Sequence, residues 1–141
     1  MISKKLIVII TSFLTMNSNA QQFRAMHTFK WTQAEPIPDS DGFAGSYAGV
    51  SNGALIVAGG SNFPDDKRPW NGGVKTWYDK IFVLESPKGH WKEAGKLPRP
   101  MAYGVALTCK AGVLCIGGGD AQQNYRDVFI LSYQSGEIKT T

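Results

Sequence analysis

The chain has 141 residues, with 15 Lys and Arg against 11 Asp and Glu and a net charge of +4. It contains no run of Lys and Arg, so a nucleic-acid-binding face has no support. Two histidines and two cysteines, scattered along the chain, do not give metal-ligand spacing, and neither a metal nor any other cofactor is expected.

Lys4 and Lys5 precede an apolar run over residues 6–14, and Ser18-Asn19-Ala20 places small residues at cleavage spacing. This pattern predicts a secretory signal peptide over residues 1–20, because the run is too short to cross a bilayer. Residues 21–141 are then expected to be periplasmic or secreted, with no membrane partner after cleavage. Loss of Lys4 and Lys5 leaves 13 basic against 11 acidic residues, so the pI of 9.1 reflects a small excess, not a basic face.

No segment sustains a helical period. The apolar runs are short, β-branched and bounded by glycine, which predicts strands. A first strand is placed at residues 29–33, around Trp31, where Lys30-Trp31-Thr32 leads into Pro36-Ile37-Pro38. A four-stranded unit follows over residues 43–93. It holds a hairpin at Asn52-Gly53, where both positions tolerate positive φ, a strand over residues 79–84 and an outer strand at His90-Trp91-Lys92-Glu93. A second unit over residues 102–138 repeats the pattern. Its hairpin is placed at Ala111-Gly112 and its third strand at residues 127–131, and the chain stops near Ile138, where a fourth strand should begin.

Residues 45–60 and 104–119 are two copies of one strand-turn-strand unit. Gly45 maps onto Gly104, Gly53 onto Gly112 and Gly60 onto Gly119, at an offset of 59. Self-similarity of this kind, ending in a glycine pair, is the mark of propeller blades. The fold class is therefore all-β: a β-propeller of which about two blades are present. Each blade needs neighbours to bury both faces, so the chain is expected to be part of a larger ring. In the second hairpin Cys109 and Cys115 fall on opposite faces, since neighbours on a strand alternate, and both are expected to be buried free thiols.

The glycine pair after the second strand, the aromatic-Asp before the third and the Trp of the outer strand resemble kelch repeats. More specifically, residues 41–52, with Asp41-Gly42-Phe43-Ala44-Gly45-Ser46-Tyr47, and residues 58–64, with Gly59-Gly60-Ser61-Asn62-Phe63-Pro64, resemble the N-acetylneuraminate epimerases, also called sialic acid mutarotases. Arg99 followed by Ala102-Tyr103-Gly104-Val105 does so too. Their position soon after the leader is similar to the cyclically permuted branch of that family. The resemblance covers about residues 31–131. It implies a six-bladed kelch propeller and an isomerase of carbohydrate metabolism that interconverts the α and β anomers of N-acetylneuraminate. The family's acid–base residues lie in blades that this sequence does not contain, so the catalytic residues are unknown here and the isolated chain is expected to be inactive. A non-catalytic kelch module that binds glycans or proteins is the alternative, since fold does not fix function.

Antiparallel blades put the connections at residues 35–42, 61–78, 94–101 and 120–126 on one rim. The loop over residues 61–78 is long, and long loops on compact folds are commonly functional. Planar aromatics, amides and guanidinium groups suit a carboxylated sugar. The candidate substrate-binding residues are Asn62, Phe63, Arg68, Trp70, Arg99 and Tyr103, with Arg99 the preferred bidentate clamp for the carboxylate. Asp120 has the rim position for acid–base work. The alternative readings are structural: Arg99 as a tie between blades, Tyr103 and Tyr47 as packed aromatics, Trp31 and Trp91 as interblade packing, and Asp79 and Asp127 as turn caps.

Overall fold

The computed structural model describes residues 31–141; the expected signal peptide and residues 29–30 of the first expected strand lie outside the described residues. Residues 33–141 form one compact unit, and it carries the fold. It contains two four-stranded antiparallel sheets and one short two-stranded ribbon. These are two consecutive blades of a kelch-type β-propeller.

The first blade is built from β1 (Tyr47–Ser51), β2 (Ala54–Ala58), β5 (Lys80–Leu84) and β6 (Lys92–Lys96), in the order β1-β2-β5-β6. Between β2 and β5 the chain forms the ribbon β3 (Ser61–Asn62) with β4 (Thr76–Trp77), and two 3-10 turns at Pro64–Asp66 and Pro69–Asn71. The first hairpin forms as the sequence predicts. Ser51 pairs with Ala54, and Asn52 and Gly53 take φ of 48° and 79°, the twist that matches right-handed strands. The outer strand starts two residues later than the expected His90, at Lys92, and a bulge sits at Ile81/Phe82. Trp91 stands just before it and donates its Nε1–H to the Glu35 carbonyl at 2.7 Å.

The second blade consists of β7 (Val105–Cys109), β8 (Gly112–Ile116), β9 (Val128–Gln134) and β10 (Glu137–Thr140), in the order β10-β9-β8-β7. Three expectations need correction here. The hairpin turns at Lys110-Ala111, because Cys109 pairs with Gly112. Gly112 belongs to the strand instead: at φ +138°, a Cβ there would lie 2.3 Å from the Leu131 carbonyl oxygen of β9. The glycine serves close approach of a neighbouring strand, not the turn. The blade also has its fourth strand. Ser135 and Gly136 take φ of 52° and 89° and turn the chain back, pairing Gln134 with Glu137. Cys115 is buried but Cys109 is exposed, and both are free; the reasoning that they occupy opposite faces survives the change of register.

The described part of the first expected strand, Trp31 to Gln33, has no strand conformation. A strand needs a partner, and no other strand of its blade is present among the described residues. Trp31 is exposed.

The repeat holds, with an offset of 58 at the glycine pairs. Gly59 and Gly60 take φ of 63° and 109°, Gly117 and Gly118 take 66° and 104°. Tyr78 N–H donates to Gly60 O at 2.9 Å, and Tyr125 N–H to Gly118 O at 2.7 Å. Ala44 exchanges both backbone hydrogen bonds with Ser61, as Ala102 does with Gly119. Gly45 therefore corresponds to Tyr103, one residue before the Gly104 that the sequence offset suggests. The shift arises in the second hairpin, which uses its glycine differently.

The core is one cluster shared by both blades: Tyr47, Ile56, Ala58, Ile81 and Val83 from the first, and Val113, Cys115, Phe129, Leu131 and Tyr133 from the second, with Leu97 and Met101 between them. Burial of this apolar surface drives the packing. The Tyr47 ring meets Phe129 edge-on at 5.8 Å, and its hydroxyl donates to the Gly117 carbonyl at 2.5 Å. Polar ties cross the same junction. Val50 N–H donates to Thr108 Oγ1 at 2.9 Å, Asn52 Nδ2 to Tyr133 O at 2.6 Å, and Tyr133 N–H to Ser51 Oγ at 3.0 Å. The far face of the second blade carries Val105, Leu107 and Val128, all more than half exposed. That is the face a further blade would cover.

Candidate functional site

The rim where β2 leads into the long loop holds an open cleft of about 910 Å³, within the size range of small-molecule sites. Three parts of the chain line it. Residues 40–44 form one wall; the ribbon and long loop contribute Ser61, Asn62, Phe63, Asp65, Arg68 and Lys75; and Tyr103 projects from the corner that enters the second blade. The 3-10 turns order the long loop. Each begins at a proline, and Arg68 O accepts N–H groups from Asn71 and Gly73 at 2.9 Å.

The wall is held by Asn62. Its Nδ2 donates to the Gly42 carbonyl at 2.8 Å, and its Oδ1 accepts the Tyr78 hydroxyl at 2.8 Å. The side chain is buried and its hydrogen bonds are used within the protein, so it shapes the cleft. Asp39 Oδ1 accepts the backbone N–H groups of Asp41 and Gly42 at 3.1 and 2.9 Å, fixing the same wall from its N-terminal side. Phe43 packs edge-on against Tyr78 at 5.1 Å.

Tyr103 is the unusual residue. Its φ is +65°, the left-handed region that costs an L-residue with a bulky side chain about 1–2 kcal/mol. Its backbone N–H donates to Gly45 O at 2.8 Å. Its ring lies where a Gly45 side chain would be: a Cβ there would sit 2.5 Å from Tyr103 Cδ1. Lys75 Nζ donates to the phenol oxygen at 2.5 Å, and Ser61 Oγ lies 2.9 Å from it. The Lys75 hydrogen bond, with that of Ser61, lowers the pKa of the phenol from its ordinary value of 10.0. Ser61 is fully buried, whereas Tyr103 is 55% exposed.

The candidates separate accordingly. Asn62, Phe63, Arg68 and Tyr103 line the cleft together. Trp70, on the second 3-10 turn, is 79% exposed and does not line it. Arg99 points elsewhere. Its guanidinium pairs with Asp127 at 3.4 Å and lies over the Tyr125 ring at 4.6 Å, the structural tie between chain segments that the sequence also allowed. Asp120 is spent as a loop cap. Its Oδ1 accepts the N–H groups of Gln122 and Gln123 at 2.8 and 3.0 Å, and its Oδ2 accepts the Tyr125 hydroxyl, which lowers the carboxyl pKa. Tyr47 is a core residue, buried within the shared cluster. Asp79 pairs with Lys96 at 3.3 Å. Lys75, Ser61, Asp41 and Asp65 also line the cleft and were not among the candidate site residues read from sequence. Lys75 lies three residues before the predicted aromatic-Asp, and only the β3–β4 ribbon brings it to Tyr103. Among the described residues, no group of three His, Cys, Asp or Glu could hold a metal ion.

A family model described as N-acetylneuraminate epimerase matches residues 8–140. The N-acetylneuraminate epimerase of Yersinia enterocolitica is 36% identical over 124 residues, covering 77% of this chain and 31% of that protein. The N-acetylneuraminate epimerase of Brucella suis is 36% identical over 121 residues, with the same coverage, and that of Salmonella typhi is 34% identical over 106 residues, covering 65% of this chain and 27% of that protein. The chain thus spans about a third of the length of these relatives. The solved structure of YjhT superposes with a TM-score of 0.72 at 28% identity, over 83% of this chain and 36% of that one; two blades in that share of a chain match a ring of about six. With the family model matching nearly the whole sequence and the fold agreeing, the chain belongs to the N-acetylneuraminate epimerase family.

Proposed function

We propose that this chain provides part of the sugar site of an isomerase that interconverts the anomers of N-acetylneuraminate, a sialic acid mutarotase acting in the periplasm or outside the cell. The observation that carries the reading is the cleft itself. It gathers two cations, Arg68 and Lys75, with hydroxyls from Ser61 and Tyr103 and an apolar wall from Phe43 and Phe63. A carboxylate favours the cations, and the apolar wall suits the carbon faces of the sugar ring. The names of the relatives support the substrate class.

The alternative module, one that binds finished glycans, differs in a measurable way. An isomerase must handle the free anomeric hydroxyl, whereas a glycan binder meets sialic acid as a glycoside. The chain is titrated with N-acetylneuraminate and with its methyl glycoside, and binding is followed by NMR shifts. The expected result is binding of the free sugar about tenfold or more tighter than the glycoside, a difference of about 1.4 kcal/mol. Equal binding favours a glycan-binding module, and binding of neither removes the sugar site assigned to this chain and leaves the protein-binding module.

A further inference from the structure

Lys67, Lys80, Lys92 and Lys96 sit beside carboxylates, at 3.8, 3.5, 2.6 and 3.3 Å from Asp65, Glu93, Glu85 and Asp79. Lys75 differs from them. It is half-buried and lines the cleft, and among the described residues no carboxylate pairs with it. Aromatic groups hold its ammonium instead. Nζ lies 4.4 Å from the centre of the Tyr103 ring and 5.4 Å from that of the Trp77 ring, where the ring quadrupoles attract a cation. It also donates to the Tyr103 phenol oxygen at 2.5 Å. An ammonium has three donors, and that bond uses one.

Tyr103 is strained to reach this point. It takes φ +65° at the corner where the first blade has Gly45 at φ +67°. Glycine adopts this conformation freely, whereas a bulky residue is an outlier there. Strain of this kind persists where the surroundings hold it, and it gathers at functional sites. Here Gly45 leaves room for the ring, and buried Ser61 lies 2.9 Å from the phenol oxygen. The phenol in turn fixes a long, flexible side chain, so less freedom is lost when a ligand meets it. The other charged groups of the lining, Asp41, Asp65 and Arg68, are all exposed. Water and salt screen them more than they screen a half-buried charge.

We propose that Lys75 is the group of the cleft that selects for a carboxylate on the bound sugar, and that Tyr103 is its positioning residue. The sugar itself rests on the function proposed above. The ammonium gives a carboxylate oxygen a charge-assisted hydrogen bond while the phenol keeps the lysine in place, and no proton changes hands. A neutral sugar of the same shape leaves the half-buried charge without a counter-charge, which disfavours it.

The test compares N-acetylneuraminate with its methyl ester, which keeps the ring and the anomeric hydroxyl but loses the charge. Both are titrated by NMR into the wild-type chain, Lys75→Met, Tyr103→Phe and Arg68→Met. The quantity read is the ratio of the two affinities, which a merely structural defect, weakening both ligands alike, leaves unmoved. The wild type is expected to prefer the acid by about tenfold. Lys75→Met loses the preference and keeps the affinity for the ester. Tyr103→Phe keeps the ring over Gly45 and removes only the hydroxyl; its preference falls to about threefold. Arg68→Met retains most of the preference. A preference that survives Lys75→Met, or that Arg68→Met removes, overturns the assignment to Lys75, and an unchanged ratio in Tyr103→Phe overturns the positioning role. Equal binding of acid and ester by the wild type overturns the assignment and leaves the sugar site standing. Binding of neither overturns the sugar site and the assignment with it.

Discussion

Replacing Tyr103 by glycine and, separately, by alanine tests the strained corner directly. Both variants remove the ring and its hydrogen bonds to Lys75 and Ser61, so those losses cancel between them. What remains is the backbone. At an ordinary extended position glycine is worse than alanine by about 0.5–1 kcal/mol, because the unfolded chain gains freedom. At φ +65° alanine keeps a left-handed penalty of about 1–2 kcal/mol that glycine does not pay. The two terms oppose, and the penalty wins, so Tyr103→Gly is expected to be more stable than Tyr103→Ala by about 0.5–1 kcal/mol. With a urea slope of about 2 kcal/mol per molar, the midpoints differ by roughly 0.3–0.5 M. Urea unfolding followed by circular dichroism resolves this. An alanine variant equal to or more stable than the glycine variant would refute the left-handed corner, and with it the correspondence between Tyr103 and Gly45. Relief of strain also offsets part of the lost contacts with Lys75 and Ser61, so the glycine variant is expected to lie closer to wild type in stability than the alanine variant.

Three further outcomes follow from the geometry. One thiol per native chain, Cys109, is expected to react with a disulfide reagent at neutral pH; Cys115, whose pKa burial pushes up to about 12, reacts only after unfolding, and two fast thiols would contradict the burial of β8. Arg99→Met breaks a half-exposed ion pair with Asp127 and is expected to cost under about 1 kcal/mol and to leave N-acetylneuraminate affinity within about twofold, whereas Lys75→Met weakens it about tenfold, worth about 1.4 kcal/mol, as measured by NMR titration; the reverse ranking would restore Arg99 as the carboxylate clamp. The Asp120 carboxyl has a folded pKa below its ordinary 3.8, through the Tyr125 hydroxyl and the N–H groups of Gln122 and Gln123. Its stabilising contribution is therefore present above the ordinary value and lost as pH falls through the folded one. Asp120→Asn is expected to be less stable than wild type near neutral pH, with the gap closing in strong acid, and a gap independent of pH in urea titrations would sink this account.

Much of the fold was legible because the repeat is written in residues with strong local rules. Asn52-Gly53 specifies its turn through positive φ at both positions, and the glycine pairs mark the ends of β2 and β8. The errors came where one residue type serves two purposes. Gly112 looks like a turn glycine, yet it is there because β9 passes too close for a Cβ. The chain stops near where a fourth strand was expected only to begin, yet Ser135-Gly136 makes a tight hairpin and the last residues complete the second blade.

The site was harder to read, for a different reason. Arg99 and Asp120 were chosen by chemical type and rim position, and both prove to be engaged by near neighbours, Asp127 and Tyr125 for one, Tyr125 and two backbone N–H groups for the other. Type and position do not reveal whether a charged group is already satisfied. Tyr103 and Lys75 lie 28 residues apart, and their meeting depends on a two-residue ribbon that no pattern announces. A trace of it does stand in the sequence, once the repeat is aligned by hydrogen bonds and not by glycine spacing. Ala44-Gly45 then faces Ala102-Tyr103, and a bulky residue stands where the repeat requires glycine. Repeats built on the same backbone rules expose a site where one copy breaks the rule and the other makes room for the break. Gly45 and Tyr103 are such a pair.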